Sequence, residues 1–233
     1  MIKAFDIERN EDILGNEAIK GKEYICPCCK ESVSFVDAIF KVKHFRHKIE
    51  RHCETEPETI EHIQMKQFFI DTLNLNKGQI EVNLGFARPD IYLEKDKIAI
   101  EVQNSPISYL DFMIRNEKYT ENGIYVLWIF NLDLLNPNVS EFLKKAHELY
   151  FGRVYFFDKE SILPIHFERR GRWIEPNDFS YGDGYWKWYK KLRYFKNGSL
   201  IINFKFLKVE NTFKDNNFKI CRFFDKQFWK NGK

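Results

Sequence analysis

The chain has no run of eighteen apolar residues, and its opening MIKAFDIERN carries no hydrophobic signal core. The first absence excludes a membrane-spanning helix and the second a secretory leader, so a cytoplasmic protein without a membrane partner is expected. Nothing repeats along its length, no segment is of low complexity, and no Gly/Ser linker divides it. Its 233 residues suffice for one good core plus a small satellite module or a long extension. An even set of cysteines is also missing. There are five, three of them crowded at Cys26, Cys28 and Cys29, with Cys53 and Cys221 apart. An odd number in a chain without a leader argues against a disulfide framework and for metal binding.

Aromatic residues are abundant, at 17% with 23 Phe, and charge is unevenly spread. From Trp186 to Lys233 there are thirteen Lys/Arg against three acids, a local net of +10; with +3 for the whole chain, residues 1–185 carry −7. Lys and Arg displace condensed counterions from a polyanion while rings stack on bases, so a tail this basic and aromatic suggests a polyanion as partner. Lys187, Lys190, Lys191 and Arg193 are the candidate contacts. A solvated basic face over an aromatic core would give the same composition.

Three regions follow from the pattern: 1–54, 55–158 and 159–233. The first holds short apolar stretches around a Cys/His cluster. At residue 55 the pattern changes, and Thr55-Glu56-Pro57-Glu58 reads as a capping box opening a helix to about Asn74, with Ile60, Ile63, Phe68 and Leu73 at helical spacing. Three candidate strands come next, QIEVNL, DIYLE and KIAIEVQ, the last two joined by a Lys95-Asp96 turn. Ser108 can cap a second helix that Gly123 closes near Asn122. The continuous apolar run IYVLWIF reads as a strand buried on both faces. A helix at about 139–149 and a strand RVYFF complete an α-β-β-β-α-β order. Beyond residue 160 the reading is short strands and turns.

Cys26-Pro27-Cys28-Cys29 contains a C-x2-C knuckle, followed by His44-Phe45-Arg46-His47 and Cys53. Zinc takes four N or S ligands in a tetrahedron, and two Cys on a tight turn supply half of them. His44, His47 and Cys53 compete for the other half, and Cys28 could replace a neighbour. With four protein ligands such a site is structural, and in so small a segment the metal supplies much of the folding energy.

The sharpest signal is RPDIYLEKDKIAIEVQ, residues 88–103. A turn at Lys95-Asp96 makes paired positions sum to 191, which sets Asp90 opposite Glu101 with Cα atoms about 4.5–5.5 Å apart. Alternation puts Asp90, Tyr92, Ala99, Glu101 and Gln103 on one face and Ile91, Leu93, Ile98 and Ile100 on a core face. Two facing carboxylates repel, so the pair suits Mg²⁺ or Mn²⁺, which prefers oxygen ligands and keeps waters for chemistry. Gln103 is placed to orient the attacking water. Glu58, His62 and Lys66 lie at i, i+4 and i+8 on the preceding helix and share a face. Against the hairpin they could supply a third carboxylate, a proton carrier and a phosphate contact.

AIKGKEYICPCC, HFRH, ETIEHIQMK, RPDIYL, AIEVQNSPIS and RNEKYTENGIYVLWIF, in this order over roughly residues 15–130, resemble the competence protein CoiA-like nucleases. That resemblance implies a restriction-endonuclease-like PD-(D/E)xK fold: an α/β protein with an αβββαβ core on a mixed sheet, a small zinc-ribbon-like N-terminal module and a basic aromatic extension. It further implies that Pro89-Asp90 and Glu101-x-Gln103 form the catalytic motif, with Gln where Lys is usual. Glu58, His62 and Lys66 match the family's first helix, and Arg115 and Tyr119 its second. Arg88, Arg115 and Tyr119 then become candidate substrate contacts, while Cys26, Cys29, His44 and His47 look like its zinc-finger-like segment, with Cys53 as alternative ligand. The expected function is a Mg²⁺- or Mn²⁺-dependent deoxyribonuclease acting in DNA uptake, recombination or defence, on single-stranded or branched DNA among others, with a homodimer allowed. The alternative is a weak or inactive DNA-binding protein assisting recombination.

Overall fold

A computed structural model describes residues 1–37, 42–49, 53, 58–134, 146, 154–159, 161–174, 185–193, 207–211 and 218–223, of which 163–174, 185–193, 207–211 and 222–223 are described as backbone. The architecture is mixed α/β, with a curled mixed sheet, two described helices longer than one turn, and a Cys/His cluster near the N-terminus.

Five short strands build the N-terminal sheet: β1 (Lys3–Asp6), β2 (Glu11–Leu14), β3 (Tyr24–Ile25), β4 (Ser32–Val36) and β5 (His44–His47), in the order β2-β1-β3-β4-β5. Ala4, Ile13, Tyr24, Val33 and Phe45 form its small core, in which Tyr24 meets Phe45 edge-on at 5.2 Å. Ile2 and Leu14 pack instead on Ile63, Ile70 and Ile80, so the sheet is seated on the rest of the chain by apolar contact.

Helix α1 (Ile60–Leu73) starts four residues later than the sequence suggests for its cap: Thr59, not Thr55, is the N-cap and accepts from the His62 N–H at 3.3 Å. Thr55 lies outside the described residues, and Glu58, expected to reach back in a capping box, is drawn to Lys66 instead. Asn74 ends the helix in the left-handed region (φ 50°), and the Leu75 N–H returns to the Ile70 carbonyl at 2.9 Å, satisfying an end carbonyl.

The expected strand QIEVNL does not form. Lys77–Gln79 make one turn of 3-10 helix, and only Ile80 bridges Ile91, because Glu81 adopts φ 47° and a strand cannot continue through a left-handed residue. Strands β6 (Ile91–Leu93) and β7 (Ile98–Gln103) pair as expected, with Ile91 opposite Ile100, Tyr92 opposite Ala99 and Leu93 opposite Ile98. The turn differs slightly: Glu94–Asp96 are 3-10 and Lys97 is left-handed, so the ladder holds three pairs. One expectation about faces fails. β7, which lies between β6 and β8 (Tyr125–Asn131), is buried on both, Ala99 and Glu101 included, because Met65 and Phe69 of α1 and Phe112 and Tyr119 of the next helix pack in one cluster with it.

Helix α2 (Tyr109–Glu121) provides the crossover that a parallel β7–β8 pair requires. Ser108 caps it, accepting from the Asp111 N–H at 3.0 Å, and Gly123 at φ 73° closes it, both as the sequence indicates. β8 is buried on both faces; Phe112 of α2 packs on Trp128 with ring centroids 5.0 Å apart. The helix expected at 139–149 lies outside the described residues apart from Ala146, which is helical and buried.

After β9 (Val154–Asp158), which pairs in parallel with β8, the chain departs from the short strands expected. β10 (Ser161–Ile174) is fourteen residues long, pairing over its first five with β9 and over the rest with β11 (Tyr185–Arg193). Changing partners mid-strand lets one long strand serve two ladders. A last hairpin, β12 (Leu207–Asn211) and β13 (Lys219–Phe223), returns to the core, where Ile220 bridges Val126 of β8 in parallel. Phe218, Ile220 and Cys221 are buried in the main cluster with Phe69, Ile100, Leu127 and Phe156. No helix among the described residues is long and apolar enough to cross a membrane.

Phe112 is wholly buried between α2 and β8. Truncation by Phe112→Ala should cost about 3–5 kcal/mol through lost burial and a residual cavity; urea unfolding followed by tryptophan fluorescence measures it, and a midpoint equal to the parent's would contradict this packing.

Candidate active site and metal centre

The N-terminal cluster begins with a tight turn. The Cys26 N–H donates to the Glu31 carbonyl at 2.8 Å and the Lys30 N–H to the Cys26 carbonyl at 3.0 Å, with Lys30 left-handed at φ 62°. This brings Cys26 and Cys29 to one side, where β5 presents His47 and the following segment Cys53. The four ligand atoms lie within 4.8 Å of one another, with Cys29 Sγ 3.3 Å from His47 Nε2 and Cys26 Sγ 3.9 Å from Cys53 Sγ. A Cys3His set of this kind could bind zinc. Burial, and then the neighbouring thiols, push Cys29 up to about 11; such thiols ionise readily only beside a cation, so the donor chemistry fits a metal.

His44, expected as a ligand, does not join them. It lies three residues from His47 on a strand, so the two rings point to opposite faces, and His44 Nδ1 turns to the Val42 carbonyl at 2.9 Å. Cys53 occupies the fourth position instead. Cys28 also stays outside the set.

The acidic centre is built around Lys66. Its ammonium is entirely out of water on α1, 2.5 Å from Glu58 Oε1, 2.5 Å from Glu81 Oε1 and 3.7 Å from Asp90 Oδ1. Burial alone would lower its pKa, but the three carboxylates outweigh burial and raise it. Lys66 was expected to touch phosphate; wholly buried, it holds acids together instead. Glu58 in turn is held at about 2, where burial is overcome by Lys66 and the Met1 ammonium, 3.3 Å from its Oε2.

Glu81 is the residue the sequence reading missed. Its Oε2 meets Arg88 at 2.6 Å and its backbone N–H donates to the Asp90 carbonyl at 2.9 Å, which fixes the segment leading into the motif. A left-handed, β-breaking residue inside an apparent strand leaves no trace in hydropathy. In the alternating run QIEVNL, Glu81 falls where a half-buried strand would show a polar residue, so nothing local marks it out.

Asp90 precedes β6's first pair, Ile91 with Ile100, by one position. Its Oδ2 accepts from the Val102 N–H at 2.9 Å and its Oδ1 lies 3.3 Å from His62 Nε2. Burial opposes ionisation of Asp90, yet His62, Lys66 and that N–H prevail and lower its pKa; Asp90 correspondingly raises His62 against the effect of burial. Glu101, one register step beyond the Ile91–Ile100 pair, is buried, receives the Tyr119 hydroxyl, and lies 3.7 Å from Arg115. Burial, then the charge of Asp90, pushes Glu101 up to about 7. Gln103 does not join them: its amide donates to Ser105 at 2.7 Å.

Glu101, rather than Asp90, reaches the wall of a cleft of about 790 Å³ that Arg88, Arg115, Lys118 and Tyr119 also line. The cleft opens between the core and the N-terminal sheet. Lys187, Lys190, Lys191 and Arg193 lie on β11, opposite Arg172, Arg169, Glu168 and His166 respectively, and their side chains are outside the described residues.

Among known proteins, residues 58–169 match the family described as competence protein CoiA, nuclease-like domain. Competence protein CoiA of Bacillus subtilis (strain 168) is 25% identical over 135 residues, covering 54% of this chain and 36% of that protein. The chain thus spans little more than a third of that relative's length. No solved structure matches. Glu58, Glu81, Asp90 and Glu101 fall inside the matched segment, whereas the Cys3His cluster precedes it.

Two outcomes test this geometry. Metal analysis of purified protein should find one zinc per chain, retained by His44→Ala and lost by Cys53→Ser; the reverse pattern would restore His44 as ligand. Lys66→Met leaves three carboxylates without their cation and should lower unfolding free energy by about 3–5 kcal/mol, read from urea melts.

Proposed function

We propose, because residues 58–169 match the competence protein CoiA nuclease-like domain and a CoiA protein is 25% identical over 135 residues, that the chain belongs to the CoiA-like family and hydrolyses DNA phosphodiester bonds with Mg²⁺ or Mn²⁺. The work would be in DNA uptake, recombination or defence. The observation that carries this reading is the state of Glu101. A carboxyl pushed up to about 7 by burial and by Asp90, at the wall of a cation-lined cleft, marks two acids whose repulsion a divalent ion would relieve. The donor set of oxygens suits Mg²⁺ or Mn²⁺, and Asp90 and Glu101 are the residues that would hold it. When bound, such an ion supplies an acidified water and neutralises charge gathering on the phosphate.

The remaining parts belong to the chain itself. His62, Lys66 and the Val102 N–H keep Asp90 ionised and fix its orientation. Tyr119 and Arg115 orient Glu101, and Arg88 and Arg115 stand where phosphate oxygens would enter the cleft. Glu58 serves at one remove, by holding Lys66.

One observation favours the second reading, a DNA-holding protein of weak or no turnover: Gln103 replaces the usual Lys and turns to Ser105. A cleavage assay separates the two. Purified protein incubated with single-stranded, duplex and branched DNA plus Mg²⁺ or Mn²⁺ should cut, and Asp90→Asn and Glu101→Gln should each lower the rate by roughly 100-fold or more while the far-UV circular dichroism stays that of the folded parent. Parent protein that binds DNA but never cuts it would leave the second reading standing.

A further inference from the structure

The cleft has two walls of different origin, and their side chains say what it takes. On the N-terminal side stand Phe5 of β1 and Lys30 of the cysteine turn, with the Lys30 ammonium 6.0 Å from the Phe5 ring centre. Facing them are Phe86, on the short loop closed by the Leu84 N–H to Ala87 carbonyl bond, and Arg115 and Lys118 of α2. Glu101 lies between. Lys30 and Lys118 are exposed, and no carboxylate among the described residues pairs with either. Phe5 and Phe86 are half-buried and both line the cleft, Phe86 meeting Tyr119 edge-on with ring centroids 6.2 Å apart.

We propose that this cleft grips a single unpaired polynucleotide strand, with Phe5 and Phe86 as stacking platforms and Lys30, Arg115 and Lys118 on its phosphates. The inference rests on the nuclease reading for its consequence but on separate residues for its binding. Alternating rings and cations are what a strand with free base faces needs; a duplex hides those faces and offers only its outer phosphates. Size agrees, since a volume of about 790 Å³ is that of a small-ligand pocket, room for a few nucleotides and not for a helix with two strands. The recessed position of Glu101 points the same way. A phosphodiester reaches it only when the strand enters between the walls.

The cysteine turn thereby acquires a part in recognition. It holds Lys30 in its left-handed conformation, and so sets the wall that faces α2.

Fluorescence anisotropy of the full, zinc-loaded chain tests this, in buffer without added Mg²⁺ or Mn²⁺ so that no cutting occurs. The probes are a labelled 20-nucleotide thymidine oligomer, a mixed-sequence duplex of the same length, and an unstructured uridine oligomer. Single strands should bind at least 10-fold tighter than duplex, the DNA and RNA arms deciding whether the sugar matters. Phe5→Ala and Phe86→Ala should each weaken single-strand binding by about 10-fold and duplex binding little. Lys30→Glu and Lys118→Glu should weaken it and flatten its salt dependence, while Lys95→Glu, on the β6–β7 turn, should not. Equal or tighter duplex binding, or strand binding indifferent to both Phe substitutions, overturns the proposal. Single-strand binding without cleavage in Mg²⁺ or Mn²⁺ would instead refute the nuclease reading and leave this one intact.

Discussion

An ammonium group with no access to water can stay charged only if anions surround it, and Lys66 has three. The cost of burying that charge is several kcal/mol, so the acids cannot drift from it without a large penalty. The arrangement joins four parts of the chain: Glu58 ahead of α1, Lys66 within it, Glu81 in the turn that follows, and Asp90 entering the hairpin. Met1, Arg88 and His62 attach to the same group at its edge. Everything proposed for the cleft inherits its geometry from this buried cation.

One consequence is a division of labour between the two acids of the motif. Asp90 is held ionised by donors on three sides, whereas Glu101 is surrounded by apolar packing, a tyrosine and a more distant arginine. The same register that brings them near each other thus gives them opposite proton affinities. Environment, rather than residue type, sets which one shares its proton.

Much of this was legible beforehand wherever the cause was local. The pairing of β6 with β7 follows from one turn and period-two alternation, and it holds at all three pairs. The Ser108 cap, the Gly123 stop and the buried strand β8 are likewise written in a few adjacent residues. Features set by distant partners were not. Glu81 takes its strained backbone because Lys66 and Arg88 await its carboxylate, so an apparent strand is lost. His44 and His47 look equivalent by spacing, but their strand sends them to opposite faces, and Cys53 completes the thiol set instead. The length of β10 depends on two successive neighbours that no local pattern announces.

The bridge from Ile220 to Val126 has a wider meaning. A strand near the far end of the chain lies against the central one, and Ile2 and Leu14 from the opposite end fill gaps beside α1. The stretch that resembles CoiA is therefore covered here by segments from both of its flanks. Excised at its matched borders, it would expose a raw sheet edge and an unfilled apolar flank. The flanking sequences are structural members of the same folded body, free to diverge in sequence only as far as they continue to cover it.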